Sequence, residues 1–124
     1  MKETPISENH LYAKVYARGQ KCVCRQIVVY TLTDRRAGQL AKRHPEKKRV
    51  NRVGLTVTKK IGGAVVRNRV KRILRAAYRS CIQKKEIKTG YLIVIVARPA
   101  AVFAKSTDIE KDLAFAFKKL GLYL

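Results

Sequence analysis

The sequence predicts a single α+β domain: one mostly four-stranded sheet packed by helices, in the order α-β-β-β-α-β-α. Three observations lead there. The 124 residues suit one hydrophobic core. Apolar residues recur at helical spacing in three separate segments, and β-branched or alternating runs lie between them. The longest apolar run, Tyr91 to Ala97, has the length of a strand and falls well short of the roughly 20 residues that span a bilayer.

Residues Ile6 to Arg18 form the first helical pattern, with Leu11, Val15, Tyr12 and Tyr16 at helical spacing and Ser7 as the candidate cap. Gly19 stops it. Residues 21–33, KCVCRQIVVYTLT, read as β structure with a break near Arg25. The polar, basic stretch 34–49 then reads as a long loop with a helical turn around Leu40, an arm that either orders on RNA or is a tolerated insertion. RVGLTVT, residues 52–58, alternates as a strand, and Gly62 and Gly63 break the chain. A helix runs from about Ala64 to about Gln83. YLIVIVA, residues 91–97, is apolar throughout, as a central strand covered on both faces is, and Pro99 ends it. Thr107 with Glu110 reads as a capping box for a last helix, whose stripe is Ile109, Leu113, Ala116, Phe117 and Leu120 before Gly121.

Charge is the loudest feature. The net charge is +21, with a pI near 10.5, and no Asp or Glu occurs from Lys47 to Lys85. Folding does not require such self-repulsion, which costs stability, so a polyanionic partner is implied: nucleic acid first, an anionic membrane second. Solubility alone is served by mixed signs and modest net charge. The N-terminal MKETPISENH lacks the basic-then-apolar order of a secretory signal, so a cytoplasmic protein is expected.

Catalytic and metal chemistry find little support. The three cysteines, Cys22, Cys24 and Cys81, form no even set, and only His10 and His44 could join them as soft ligands, so reduced structural thiols are expected. No Ser-His-Asp or Cys-His pattern stands out. Acidic residues are too few and scattered for a carboxylate-metal nuclease site.

The central helix carries the functional signal. At about 100° per residue, Val66, Val70, Ile73, Leu74, Ala77 and Cys81 share one face. Asn68, Lys71, Arg72, Arg75 and Arg79 lie opposite, and Arg67 and Arg69 flank the boundary. An ordinary solvated face interleaves Glu with Lys, whereas here like charges at i,i+4 repel and basic residues oppose the helix dipole. That arrangement is built for a polyanion. Lys59 and Lys60 precede the two glycines, and free N–H groups at the helix start can receive a phosphate. The order of a nucleotide-binding P-loop is missing.

RVGLTVTKKIGGAVVRNRVKRILRAAYR, with RNRVKR at Arg67 to Arg72 as its centre, resembles the signature of the bacterial ribonuclease P protein subunit. YAKVYARGQ resembles that family's N-terminal helix, RQIVVYTL its next strand, and YLIVIVARPAA its last strand and following turn. The loop at 34–49 is longer than the family's usual one, and Gly63 stands where the family commonly has Asn. The resemblance implies a ribosomal-protein-like fold whose strand-helix-strand crossover, holding the Arg-Asn-Arg helix, is left-handed against the usual rule. It implies an accessory subunit of an RNA enzyme that removes the 5′ leader of precursor tRNA. By that analogy Lys59, Lys60, Arg67, Asn68, Arg69, Lys71, Arg72, Arg75 and Arg79 face the catalytic RNA, while Tyr12, Tyr16 and Tyr30 line a cleft for the leader. The partners implied are ribonuclease P RNA and precursor tRNA, with no membrane and no DNA. No cofactor is held firmly by the protein, and Mg²⁺ is required by the ribonucleoprotein. From the residues alone, core packing is the plainer reading of each tyrosine.

Rival readings share some of these features. A ribosomal protein has the same charge and size but no reason to prefer leader-bearing tRNA. A helix-turn-helix DNA binder needs two close helices, whereas strands flank this one. A membrane-surface helix shows a free apolar face, and here the strands offer that face a partner.

Overall fold

The structure, a computed structural model, describes residues 4–6, 9–33 and 51–124. The basic segment 34–49 and the candidate cap Ser7 lie outside them. The elements are β1 (Thr4–Pro5), α1 (Asn9–Arg18), β2 (Gln20–Val23), β3 (Ile27–Thr33), β4 (Arg52–Thr56), α2 (Ala64–Lys84), β5 (Tyr91–Ala97) and α3 (Ser106–Lys119). Single 3₁₀ turns occupy Lys59–Ile61 and Pro99–Phe103.

The sheet order is β1-β4-β5-β3-β2. β1 and β5 run parallel to β4 on its two sides, and β3 is antiparallel to both β5 and β2. Four strands carry the sheet, as the pattern predicts. The fifth, two-residue β1 was not anticipated. It pairs only with Arg52 and Val53 of β4, and Ile6, buried against the sheet, extends it with an N–H bond to the Val53 carbonyl at 3.2 Å. The helix expected from Ile6 therefore begins at Asn9. A proline suits such an edge, where its missing N–H is not needed.

β5 explains its own composition. Leu92, Ile93, Val94 and Ile95 are all 0–2 % exposed because both faces of the strand are covered. On one face Ile93 and Ile95 join Ile27 and Val29 under α2 and α3. On the other, Leu92 and Val94 meet Ile6, Leu11 and Val15, with Tyr12, Tyr30, Leu32 and Val96 packed at the margin. The break near Arg25 is real: the Cys24 N–H donates to the Ile27 carbonyl at 2.8 Å across the turn between β2 and β3.

α2 buries Val70, Leu74, Ala77 and Cys81, the stripe its periodicity predicts, and also Tyr78. α3 buries Ile109, Leu113, Ala116 and Phe117. Its end is a Schellman motif. Leu122 N–H donates to the Phe117 carbonyl at 2.9 Å and Gly121 N–H to that of Lys118 at 3.2 Å, with Gly121 at φ +70° where a Cβ is disfavoured. Its start differs from the expected Thr107–Glu110 box. The Asp108 carboxylate accepts from the Lys105 N–H at 3.0 Å, while Glu110 is turned to α2 and holds Lys84 at 2.6 Å. An acid three residues after the cap does the expected work, two residues earlier than the sequence suggests.

Candidate nucleic-acid interface

β4 and β5 are parallel neighbours, so α2 is the crossover between them, and its first turn sits at the C-terminal end of both strands. Between β4 and α2 the 3₁₀ turn buries Ile61 as an anchor and leaves Lys59 and Lys60 exposed. Gly63 takes the N-cap position with extended backbone, and no side chain caps the helix. The first-turn N–H groups are thus left for another acceptor.

Along α2 the structure exposes Asn68, Arg69, Arg72, Arg75 and Arg79. Arg67 and Lys71, nearer the sheet, are half-buried. Arg67 Nε is buried with no hydrogen-bond partner among the described residues. Arg69 is partly structural: its Nη2 donates to the Val102 carbonyl at 2.9 Å, which ties α2 to the turn after β5. A guanidinium carries five N–H donors, so this bond leaves others for a phosphate.

The three tyrosines gather on the opposite face of the sheet, under α1. Tyr30 enters from β3, where its pairing with Val94 sets its side. Tyr16 meets Tyr30 edge-to-face with ring centres 5.0 Å apart, and its hydroxyl lies 2.8 Å from Thr56 Oγ1. Tyr12 lies against Gly54 of β4. A Cβ at Gly54 would stand 2.7 Å from the ring's Cε1 and Cζ, so only glycine lets the ring settle there. Burial, and then Tyr16 beside it, push the Tyr12 hydroxyl above its ordinary pKa. Tyr16 is 40 % exposed, and Tyr12 and Tyr30 are half-buried, so each combines packing with an accessible edge.

Sequence reasoning treats the basic face and the tyrosines as two sites. The structure brings part of each together. Beyond Val53, β1 no longer covers the edge of β4. A groove of about 370 Å³ wraps that edge, lined by Tyr12 and Gly54 on one side and by Lys71, Arg75, Tyr78 and Arg79 on the other. Lys59, Lys60, Arg67, Asn68, Arg69 and Arg72 lie outside the groove, as do Tyr16 and Tyr30. The groove thus offers aromatic surface and cations within one opening, the combination that holds a single-stranded backbone with its bases. Tyr78 was missed because its wheel position falls among the basic residues. Its ring is 3 % exposed and packs edge-to-face on Phe117 at 6.3 Å.

The cysteines read as structural. All three cysteines are free thiols. Burial, with Cys22 and Asp112 nearby, pushes the Cys24 thiol up to about 12, and burial raises Cys81 as well, so neither is an activated nucleophile. Among the described residues no three His, Cys, Asp or Glu side chains are grouped as a metal cage. Among the described residues no helix is long and apolar enough to cross a membrane.

Comparison with known proteins agrees with this architecture. The family model described as Ribonuclease P matches residues 1–121. A ribonuclease P protein component of Clostridium botulinum is 36% identical over 123 residues, covering 99% of both chains. That of Bacillus velezensis is 37% identical over 122 residues, covering 98% of this chain and 93% of its own. Among solved structures, the Staphylococcus aureus RNase P protein superposes with a TM-score of 0.74 at 28% identity, covering 99% of this chain and 100% of that one. The Thermotoga maritima RNase P protein, at 18% identity, shares the fold with a TM-score of 0.69 over 95% of this chain and 96% of its own. With the match spanning both the basic helix and the tyrosine-bearing face, the chain belongs to the ribonuclease P protein family.

Proposed function

We propose that this chain is the protein subunit of a bacterial ribonuclease P, which binds the catalytic RNA through α2 and the 5′ leader of precursor tRNA through the tyrosine face. One observation carries the reading. An acid-free row of arginines and lysines borders a groove that Tyr12 enters from the other side of the sheet. Phosphate contacts by Lys and Arg give affinity without sequence preference, as a subunit serving every precursor tRNA needs. Stacking on aromatic rings holds unpaired bases with the same tolerance, worth about 1–3 kcal/mol per base.

Lys59, Lys60, Arg67, Asn68, Arg69, Arg72, Arg75 and Arg79 are assigned to the catalytic RNA, with Lys71 at the junction of the two surfaces. Tyr12, Tyr16 and Tyr30 are assigned to the leader. The chemistry of hydrolysis and its Mg²⁺ belong to the RNA. The protein's part is to hold the leader, which favours precursor over product, and to screen phosphate repulsion, which lowers the Mg²⁺ needed. Maturation of precursor tRNA is a cytoplasmic task, so the reading puts the protein there with its RNA.

The test is cleavage of a precursor tRNA at low Mg²⁺ and near-physiological salt. Protein alone, ribonuclease P RNA alone and their mixture are compared. Strong cleavage in the mixture only is the expected result. No gain from adding folded protein to folded RNA would overturn the reading in favour of a ribosomal RNA-binding role.

A further inference from the structure

The turn after β5 displays a side chain that neither the core nor the two assigned surfaces use. Phe103 is 90 % exposed. A phenyl ring left in water forgoes the stabilisation that burial would bring. The turn beneath it is nonetheless firmly held. Ala101 and Ala104 on either side are buried, and Val102 packs against the main core. Ala101 N–H donates to the Arg98 carbonyl at 2.9 Å and Ala104 N–H to that of Ala101 at 3.2 Å. Arg69 from α2 donates to the Val102 carbonyl at 2.9 Å. Phe103 is therefore an exposed ring on a fixed base.

The elements packed against this turn carry cationic and apolar side chains. The 3₁₀ turn bearing Lys59 and Lys60 touches the turn bearing Phe103. Val65, 84 % exposed, lies one helical turn before Arg69 on the same side of α2. Lys105, two residues beyond Phe103, is exposed. The carboxylate nearby in sequence, Asp108, is occupied by the Lys105 N–H at 3.0 Å. An exposed ring on a turn packed against cation-bearing elements suits a base with its phosphates, not an apolar partner protein or a cationic one.

We propose that Phe103 is a stacking platform for an unpaired base of the catalytic RNA, with Lys59, Lys60 and Arg69 of the adjoining elements holding the flanking phosphates. The proposal rests on the functional reading above and adds an aromatic contact to a surface otherwise assigned to charge. Because the ring is exposed and its neighbours anchor the turn, replacing it leaves the fold intact.

The experiment titrates ribonuclease P RNA with the full-length protein at several salt concentrations. Wild type, Phe103→Ala, Phe103→Leu and Phe103→Trp are compared, with circular dichroism and melting as the check on folding. Phe103→Ala weakens binding roughly 5- to 150-fold, as loss of one stacked base does, with the salt slope unchanged because no charge is lost. Phe103→Trp binds at least as tightly as wild type. Phe103→Leu stays weak. Wild-type affinity in Phe103→Ala, or restored affinity in Phe103→Leu, overturns the platform. A loss that shows only when leader-bearing tRNA is present overturns its assignment to the catalytic RNA. Arg72→Ala/Arg75→Ala separates the two levels of the argument. If that variant binds weakly while Phe103→Ala does not, the platform fails and the functional reading stands. If wild type itself does not bind the RNA, the functional reading fails and the platform with it.

Discussion

Removing two arginines from α2 tests the phosphate face quantitatively. Arg72 and Arg75 are the best choice, because both are exposed. Arg69 would confound the result, since its Nη2 also ties α2 to Val102 at 2.9 Å, and Arg67 is half-buried. Eight cations, Lys59, Lys60, Arg67, Arg69, Lys71, Arg72, Arg75 and Arg79, lie on or just before this helix. Each phosphate neutralised contributes about 0.7–0.9 to the slope of log K against log salt. Engagement of all the cations gives a slope near −6 to −7, and the Arg72→Ala/Arg75→Ala variant flattens it by about 1.4–1.8. At 0.15 M salt the same two contacts amount to about a 15- to 30-fold loss of affinity relative to the high-salt limit. The assay is a titration of ribonuclease P RNA at four or five salt concentrations. An unchanged slope with a folded variant would refute the assignment of this face, whatever happens to the absolute affinity.

Other outcomes follow from the same geometry. Tyr16→Ala removes the ring that meets Tyr30 at 5.0 Å and lowers the preference for precursor over mature tRNA by about 5- to 150-fold; equal losses for both substrates in a binding assay would sink the leader cleft. Gly54→Ala drives a Cβ into the Tyr12 ring, costing about 1–3 kcal/mol in a denaturant melt and reducing the same discrimination. A Cβ at Gly63 meets no atom within 4 Å and Asn supplies a capping side chain, so Gly63→Asn raises the melting temperature by the equivalent of a few tenths of a kcal/mol; a fall would mean that the backbone there is not as described. Cys24 keeps its proton in the folded state from pH 9 up to about 12. Its contribution to stability is therefore complete below pH 9 and is lost as pH rises through that window. Alkylation of the folded protein at pH 9 accordingly leaves Cys24 slower than the same thiol in denaturant.

Much of this was legible because strong periodicities survive tertiary context. The α2 stripe of Val70, Leu74, Ala77 and Cys81 and the α3 stripe ending at Gly121 appear where spacing puts them. β5 could be placed at the centre because a strand buried on both faces cannot alternate. What escaped depends on contacts distant in sequence. β1 is two residues long and exists only because Ile6 packs on the sheet and bonds to Val53. Glu110 reads as half of a capping box until Lys84, 26 residues away, claims it. Tyr78 sits among cations on the wheel, yet the Phe117 ring draws it into the core. The candidate site was legible in its residues and not in its shape. The basic face and the tyrosines were both marked, but their meeting around the β4 edge follows from β1 being short, which no local pattern encodes.

The sheet divides the core unequally, and that division bears on how the protein meets its RNAs. Beneath α2 and α3 lies the larger cluster, with Phe117, Leu74, Ile93, Ile95 and Leu113 shut off from solvent. Beneath α1 lies a small one built on Ile6, Leu11, Val15, Leu92 and Val94. Local opening is easiest where fewest apolar contacts must break, so α1 amides exchange with solvent through smaller fluctuations than those of α3. The larger cluster thus backs the arginine face and the smaller one the tyrosine face. In the proposed assignment, the surface meant for one folded RNA stands on the more heavily packed layer, and the surface meant for leaders of varied sequence stands on the layer with fewer contacts to break.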